Sequence, residues 1–255
     1  MDRRHFLRSL AAAGAAAGAT ATAGCAGVIG DSGSADGTPD ADGPSDDADS
    51  SGSDGAGANE TILGPPEQTR GDPVHPIRGD EMPEFSVPDP ISGEEISTAQ
   101  FEGERAFLWT MFYTNCPDGV CPALILRLRR AQEVAAEEGF GDEAAFLPTT
   151  FDPERDTEEA LREYAGQRGV DLDAGNWHFL RPETYESGQE LFDEQFGLKI
   201  QKSFDNDYES LEYTFPHYGL ILLVNRRGIV ERAYPRGPAT DVERLVDDFR
   251  RVVTA

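Results

Sequence analysis

The chain has 255 residues, of which 48 are acidic and 22 are Lys or Arg, so its formal net charge is -26 at pH 7. This charge excludes nucleic-acid binding, which needs a basic surface. Its only lysines are Lys199 and Lys202. An acidic chain in which arginine supplies nearly all positive charge is typical of a halophilic protein, because concentrated salt screens the self-repulsion.

Residues 1–25 predict a twin-arginine export signal. Arg3 and Arg4 precede an Ala/Gly/Thr stretch that ends at Gly24. Such a stretch is too short and too weakly apolar to span a bilayer stably, and adjacent arginines are typical of the twin-arginine route. Thr22–Cys25 resembles a lipobox, so we expect Cys25 to carry a lipid that anchors the protein to the extracytoplasmic face of the membrane. Simple cleavage nearby, with release, is the alternative.

Residues 26–72 predict a disordered acidic tether. From Asp31 to Glu60 the chain is mostly Asp, Gly, Ser, Ala and Pro, without Lys or Arg. It cannot bury enough apolar surface to offset the entropy of an ordered chain. Asn59 begins an N-glycosylation acceptor pattern, which is common by chance. Residues 73–255 then suit one α/β domain of ordinary size.

The first half of that domain predicts a hairpin, two apolar strands and two helices. Turn residues separate the strands, and Pro122 and Gly139 are typical of a helix start and a helix end. In chain order these elements are a hairpin over Phe85–Ser97, a strand over Ala106–Tyr113, a helix over Pro122–Gly139, a strand over Ala145–Phe151 and a helix from a capping box at Asp156 to Gln167. Pro148 weakens the second strand in its middle.

The second half predicts a further strand and helix, then a hairpin and a closing helix. The segments are a short strand over Trp177–Leu180, a helix over Glu183–Phe196, a hairpin or long loop over Leu198–Phe215, strands over Gly219–Val224 and Ile229–Tyr234, and a helix over Thr240–Val253. This order predicts a thioredoxin-like α/β sandwich, in which helices flank a central sheet, with an N-terminal β-hairpin.

Cys116 and Cys121 stand where the first strand passes into a helix. Free backbone N–H groups and the helix dipole favour thiolates at such a corner. Cys25 belongs to the leader, so within the domain the two cysteines have only each other as partners. A structural disulfide, a redox pair and a metal site all remain possible. The short loop between them argues against a purely structural disulfide, because it constrains the unfolded chain little.

Four motifs in order resemble the Sco (SenC) family of copper-binding thioredoxin-fold proteins. They are Phe101–Gly103, the run FYTNCPDGVCP from Phe112 to Pro122, FDPERDT from Phe151 to Thr157, and His217 ahead of an apolar strand. The resemblance implies that Cys116, Cys121 and His217 bind copper, since thiolates suit Cu(I) and an imidazole suits Cu(II). It also implies a metallochaperone, rather than an enzyme, that delivers copper to the dinuclear copper site of cytochrome c oxidase subunit II or prepares the cysteines of that site.

A second function stays open beside the first. Cys116 and Cys121 would also serve an extracytoplasmic thiol–disulfide oxidoreductase, and they would form a disulfide when oxidised. The chain also departs from the family at two places. Four residues separate the cysteines instead of the usual three, and Gly119 is the extra one. Pro216 precedes His217 where many relatives carry an acidic residue.

The other candidate side chains have simpler interpretations. His178 lies between two aromatic residues and suits the edge of the core better than a fourth ligand position. His5 and His75 are assigned no function. Asp152 and Asp156 could act near the site, although helix capping explains Asp156. Three arginines of the first helix could dock an acidic partner or form a solvated face: Arg127, Arg129 and Arg130.

Overall fold

The computed structural model describes residues 61–67, 71, 73–216 and 219–255. The predicted export signal, Cys25 and Asn59 lie outside these residues. The described elements are β1 (Ser86–Asp89), β2 (Glu94–Ser97), β3 (Ala106–Phe112), α1 (Val120–Glu138), β4 (Ala144–Thr150), α2 (Glu158–Arg168), α3 (Tyr185–Phe196), β5 (Ile221–Val224), β6 (Val230–Tyr234) and α4 (Val242–Val253). None of the helices in this part of the chain is long and apolar enough to cross a membrane.

Four strands form the central sheet in the order β4-β3-β5-β6. β3 and β4 are parallel, whereas β5 runs antiparallel to both β3 and β6. Every residue of β3, β4 and β5 is buried. This explains why these strands appear in the sequence as continuous apolar runs rather than alternating ones. β1 and β2 form the separate N-terminal hairpin. The thioredoxin-like fold class is thereby confirmed.

Helices cover both faces of the sheet. Trp109 of β3 stacks on Phe196 of α3 with ring centroids 4.1 Å apart. Phe146 of β4, one register position away, contacts Phe249 of α4 at 5.5 Å. Because neighbouring positions of a strand point to opposite faces, α3 and α4 lie on opposite sides of the sheet. α1 packs against α4 and shares its side.

The predicted strand Trp177–Leu180 is reduced to two isolated parallel bridges on β4, at Trp177 and Leu180. Backbone bonds join the segment to β4 at Phe146 and Thr150, and the amide of Leu180 donates to the carbonyl of Pro148 at 2.9 Å. Proline has no N–H with which to complete the ladder between the two bridges. The interruption by Pro148 is therefore the physical reason that no continuous strand forms.

The long segment predicted over Leu198–Phe215 is a loop. A single antiparallel bridge joins Ser203 to Thr214, with backbone hydrogen bonds of 2.8 and 2.9 Å. The remainder of the loop depends on side-chain contacts, which become important beside the candidate site.

The outer edge of β6 is covered by residues that precede the hairpin. The amide of Gly79 donates to the carbonyl of Val230, and the amide of Val230 donates to the carbonyl of Asp80, both at 2.9 Å. Glu81 forms an antiparallel bridge with Ile229. The edge of the sheet opposite β4 is thus paired with irregular chain.

The packed part of the chain begins ahead of residue 73. Glu231 of β6 is fully buried, and its carboxylate accepts hydrogen bonds from the amides of Ile62 and Leu63 at 2.8 Å. Asn225 donates to the same carboxylate at 2.6 Å. Ile62 and Leu63, which fall inside the range 26–72 assigned to the tether, are therefore hydrogen-bonded to β6.

Candidate metal centre

The two cysteines lie in the loop that joins β3 to α1. β3 ends at Phe112 and α1 begins at Val120, so Cys116 is in the loop and Cys121 is in the first turn of the helix. Cys116 is half-buried and Cys121 is buried, and no disulfide joins them. The structure therefore brings the predicted pair together at a helix N-terminus.

Hydrogen bonds fix the Cys116 sulfur against the start of α1. The amide of Cys121 donates to Cys116 Sγ at 3.3 Å. The Cys116 thiol lies 3.2 Å from Asp118 Oδ1, which also accepts from the amide of Val120 at 3.1 Å. The sulfur thus accepts one of the amide hydrogens that a helix start leaves unpaired. Asp118 was not predicted as a site residue, although an aspartate just before a helix is a familiar capping signal.

Gly119, the extra residue of the loop, has a left-handed backbone conformation. It is the N-cap of α1, with φ 82° and ψ 2°, in the left-handed region that other residues enter at a cost. A Cβ at this position would meet no atom within 4 Å. The requirement for glycine is therefore one of backbone conformation and not of space.

We expect Gly119→Ala to lower the free energy of unfolding by about 1 kcal/mol, because alanine resists the left-handed conformation. Gly119→Asn is the matched control, since asparagine enters that region more readily, and it should lose clearly less. Urea unfolding of both variants measures the difference. Equal losses of unfolding free energy in the two variants would show that the presence of a side chain, rather than the backbone angle, destabilises the protein.

The protonation of Cys121 differs from the expectation of thiolates at both positions. Burial raises the pKa of the Cys121 thiol well above its ordinary value, and the adjacent Cys116 raises it further. Burial therefore favours the thiol over the thiolate at Cys121. A soft metal that binds there must displace this proton, since the thiolate is the ligand.

Asp156 does not cap α2, which corrects the sequence interpretation. The N-cap of α2 is Thr157, whose hydroxyl accepts from the amide of Ala160. Asp156 is fully buried instead, and its carboxylate accepts from the amide and hydroxyl of Thr114, at 3.2 and 2.5 Å, and from the hydroxyl of Thr150. Burial raises the pKa of Asp156 to about 6, and the charge of Asp152 adds to the rise.

This carboxylate joins three parts of the site. Thr114 stands two residues before Cys116, Thr150 ends β4, and Asp156 itself belongs to the turn that follows β4. The turn after β4 therefore holds the start of the cysteine loop. The sequence places Asp156 in a family motif, but its contact with Thr114 spans 42 residues, and no local pattern indicates it.

A cavity of about 420 Å³ lies beside the cysteine loop. Asn115, the residue before Cys116, forms part of its wall together with Glu154 and Arg155 from the turn after β4. The loop residues Ser210–Tyr213 complete the lining. The segment that precedes His217 thus approaches the cysteine loop.

His217 itself lies outside the described residues, together with Tyr218. The described residues on either side of it are well anchored. The ring of Phe215 packs on Tyr113 with centroids 5.2 Å apart, and the carbonyl of Gly219 accepts from the amide of Gly237 at 2.5 Å. Among the residues that the structure does describe, no three His, Cys, Asp or Glu side chains are grouped as a metal site.

The two described histidines, His178 and His75, have partners outside the cysteine loop. His178 Nδ1 is 3.4 Å from Asp89 of the hairpin, and its ring lies 6.1 Å from that of Phe101, in agreement with a place at the edge of the core. His75 Nδ1 lies 2.9 Å from the carbonyl of Pro76. His5 is outside the described residues.

The three arginines of α1 divide between a contact inside the molecule and the solvated face of the helix, where the side chains of Arg129 and Arg130 are 35% and 44% exposed. Arg127 donates to the carbonyls of Thr240 and Pro238 ahead of α4. Arg129 and Arg130 both pair with Glu133 on the same helix. They stabilise α1 and its junction with α4.

Three solved structures illustrate what the fold resembles. A SCO1/SenC family lipoprotein from Bacillus anthracis str. Ames has 21% identity and a TM-score of 0.54, over 68% of this chain and 94% of that one. BsSco, described as a Sco family cytochrome c oxidase assembly protein with a disulfide switch, has 21% identity and a TM-score of 0.54, over 73% and 99%. Copper-bound ScoI from Bradyrhizobium japonicum has 22% identity and a TM-score of 0.51, over 68% and 99%.

At these identities the structures establish the fold alone. A comparison with the sequences of curated proteins finds no match. The family model described as SCO1/SenC matches residues 78–254, which include the hairpin, the cysteine loop, the turn after β4 and every strand of the central sheet. The chain belongs to the SCO1/SenC family.

Proposed function

We propose that the protein binds copper through Cys116, Cys121 and His217. As a metallochaperone it would deliver that copper to the dinuclear site of cytochrome c oxidase subunit II or prepare the cysteines of that site. The observation that carries the proposal is the pair of adjacent cysteines at the N-terminus of α1, with the amide of Cys121 donating to the sulfur of Cys116. Membership of the family, and copper in the related ScoI structure, supply the choice of metal.

The donor set suits copper in both oxidation states. Two thiolates satisfy Cu(I), a soft ion that accepts few ligands, and a neutral imidazole adds the nitrogen that Cu(II) favours. The helix dipole of α1 offsets negative charge on a dithiolate. The proposal places His217 near the thiols because Phe215, two residues before it, packs on Tyr113, three residues before Cys116.

The difference in exposure between the cysteines favours a second activity, that of a thiol–disulfide oxidoreductase. Cys116 is accessible enough to attack a partner disulfide, whereas Cys121 is buried behind it and could resolve the mixed disulfide. The two thiols would lose two electrons and two protons, and the partner disulfide would become two thiols. A disulfide cannot bind copper, so the same step would control copper loading.

Metal analysis of the reduced and oxidised protein tests the choice between a copper chaperone and a thiol–disulfide oxidoreductase. We expect the reduced protein to retain about one equivalent of copper through gel filtration, and the oxidised protein to retain none, because the sulfur ligands are then bonded to each other. Reduced protein that loses all copper, yet turns over with a dithiol reductant, would favour the oxidoreductase instead.

We also propose that the protein is exported and held at the extracytoplasmic face of the membrane by a lipid on Cys25. The proposal rests on the paired arginines and the lipobox-like Thr22–Cys25. Cys25→Ser should release the protein into the medium, as fractionation would show. A Cys25→Ser protein that stays in the membrane fraction would mean that the leader is an uncleaved anchor.

A further inference from the structure

Asp118 places a carboxylate against the sulfur of Cys116. The Cys116 thiol donates to Asp118 Oδ1 at 3.2 Å, inside the loop that separates the two cysteines. The same oxygen accepts from the amide of Val120, the first residue of α1, at 3.1 Å. The carboxylate is therefore held beside the sulfur by the backbone of the helix start as well as by the thiol.

The Cys116 sulfur takes part in two hydrogen bonds of opposite direction. It accepts from the amide of Cys121 at 3.3 Å and donates its own proton to Asp118. The bond from the amide suits a thiolate, because a backbone donor remains in place when the sulfur loses its proton. The bond to Asp118 suits only the thiol, since it uses the proton that a metal ion must displace.

Copper binding at Cys116 would therefore leave two anions close together. As the copper–sulfur bond forms, the thiol proton passes to water, and the thiolate then faces the carboxylate of Asp118 without that proton between them. Like charges at this separation repel each other, and a neighbouring cation offsets the repulsion. A doubly charged cation offsets it more than a singly charged one.

The short distance distinguishes Asp118 from acidic residues that act on the sulfur from afar. The chain has 48 acidic residues, and salt screens charges that lie more than a Debye length apart. That length is ~3 Å in 1 M salt. Asp118 Oδ1 lies 3.2 Å from the sulfur, so its charge still acts there when distant acidic residues are screened.

We propose that Asp118 shifts the preference of the copper site toward Cu(II) relative to Cu(I). This inference rests on the proposed function, from which it takes copper and the two thiolate ligands. Soft thiolates by themselves favour Cu(I). The Asp118 carboxylate adds a negative charge beside them, and this charge stabilises both complexes but stabilises the more highly charged ion more. Asp118 acts through its charge and determines specificity without being a ligand.

Asp118→Asn tests the charge alone, because asparagine keeps an oxygen that can accept from the amide of Val120. In about 1 M KCl this variant should weaken Cu(II) by about 5- to 50-fold more than Cu(I), as Coulomb's law gives for one unit of charge near contact in a largely aqueous setting. Competition with chelators specific for each oxidation state measures both affinities. Asp118→Glu, which keeps the charge, should retain most of the preference.

Asp142→Asn is the matched control for these affinities. It removes the same charge from an exposed aspartate ahead of β4, whereas the cysteine loop follows the other end of the neighbouring parallel strand β3. It should leave the ratio of the Cu(II) and Cu(I) affinities unchanged. A change as large as that of Asp118→Asn would show that the total charge of the protein sets the preference, and would overturn the proposal.

Alkylation of the metal-free protein tests the same charge without copper. Iodoacetate is an anion and iodoacetamide is neutral, and both attack the thiolate. The ratio of their rates at Cys116 therefore cancels the thiolate fraction and reports the local charge. Asp118→Asn should raise the iodoacetate-to-iodoacetamide ratio by about 2- to 5-fold, as fragment-ion mass spectrometry would show. An unchanged ratio would mean that the carboxylate does not act on the sulfur in solution, and would overturn the proposal.

Cys116→Ser, measured in parallel, separates this inference from the proposed function. If Cys116→Ser retains tight copper binding, the proposed ligand set is wrong and the inference falls with it. If Cys116→Ser loses copper while Asp118→Asn weakens both oxidation states equally, or weakens neither, the cysteine ligand stands and the role of Asp118 is overturned.

Discussion

Cys116→Ser or Cys121→Ser is expected to abolish tight binding of copper in both oxidation states, whereas His217→Ala should weaken Cu(II) far more than Cu(I). Cu(I) is soft and tolerates low coordination, so the two thiolates supply most of its affinity. Cu(II) prefers a more tetragonal set that includes nitrogen, and it should lose affinity by about 10-fold or more when the imidazole is removed.

Competition with Cu(I)- and Cu(II)-specific chelators measures both affinities, and the thiolate-to-Cu(II) absorption reports the ligand set directly. His178→Ala is the matched control, because His178 lies beside Asp89 of the hairpin, and it should alter neither state. Equal loss of both oxidation states in His217→Ala would count against the assignment. An unchanged Cu(II) spectrum in that variant would remove His217 from the site and make His178 the next candidate.

The second large effect is a pH dependence of stability that comes from Asp156. Its pKa is about 6 in the folded protein, against an ordinary value of 3.8, because burial disfavours the carboxylate. The folded state therefore binds this proton more tightly than the unfolded state does. Binding of this proton therefore stabilises the folded state fully below pH 3.8, and this stabilisation is lost as the pH rises through 6. The difference between the two pKa values corresponds to about 3 kcal/mol of unfolding free energy.

Asp156→Asn removes this titration. The free energy of unfolding of the unaltered protein, relative to the Asn variant, should therefore fall by about 2 kcal/mol between pH 4 and pH 7, because part of the loss has already occurred at pH 4. Urea unfolding at several pH values measures the difference, in which the titration of the other carboxylates cancels. Asp142→Asn, at an exposed aspartate, should follow the unaltered protein at every pH. Parallel curves for the protein and Asp156→Asn would contradict the role of Asp156.

The parts of the fold that the sequence predicts well are those fixed by local patterns. Apolar runs place β3 and β4 within one residue of their observed ends, and Gly139 ends its helix as expected. The reduced strand at Trp177 depends on Pro148 of the neighbouring strand. A pattern within Trp177–Leu180 cannot contain that information.

The residues of the candidate site also fall into two groups, those that a local sequence pattern indicates and those whose partners are distant in the sequence. The cysteine pair is visible in the sequence because strand, cysteines and helix start are contiguous. Asp156 acts through a partner 42 residues away, so its role appears only when the turn after β4 is placed in three dimensions. The thiol protonation of Cys121 was also missed, because helix-start electrostatics favour a thiolate while its actual burial favours the thiol.

The covering of β6 has a consequence for how molecules of this protein meet one another. An uncovered outer strand is a template on which a second copy can add a strand, and such pairing leads to aggregation. At one side of this sheet Gly79 and Asp80 occupy the backbone groups of Val230, and at the other the interrupted segment Trp177–Leu180 lies along β4. Within the described part of the chain, neither side of the sheet presents a long regular strand to a neighbour. Pairing of two copies through the edges of the central sheet is therefore disfavoured.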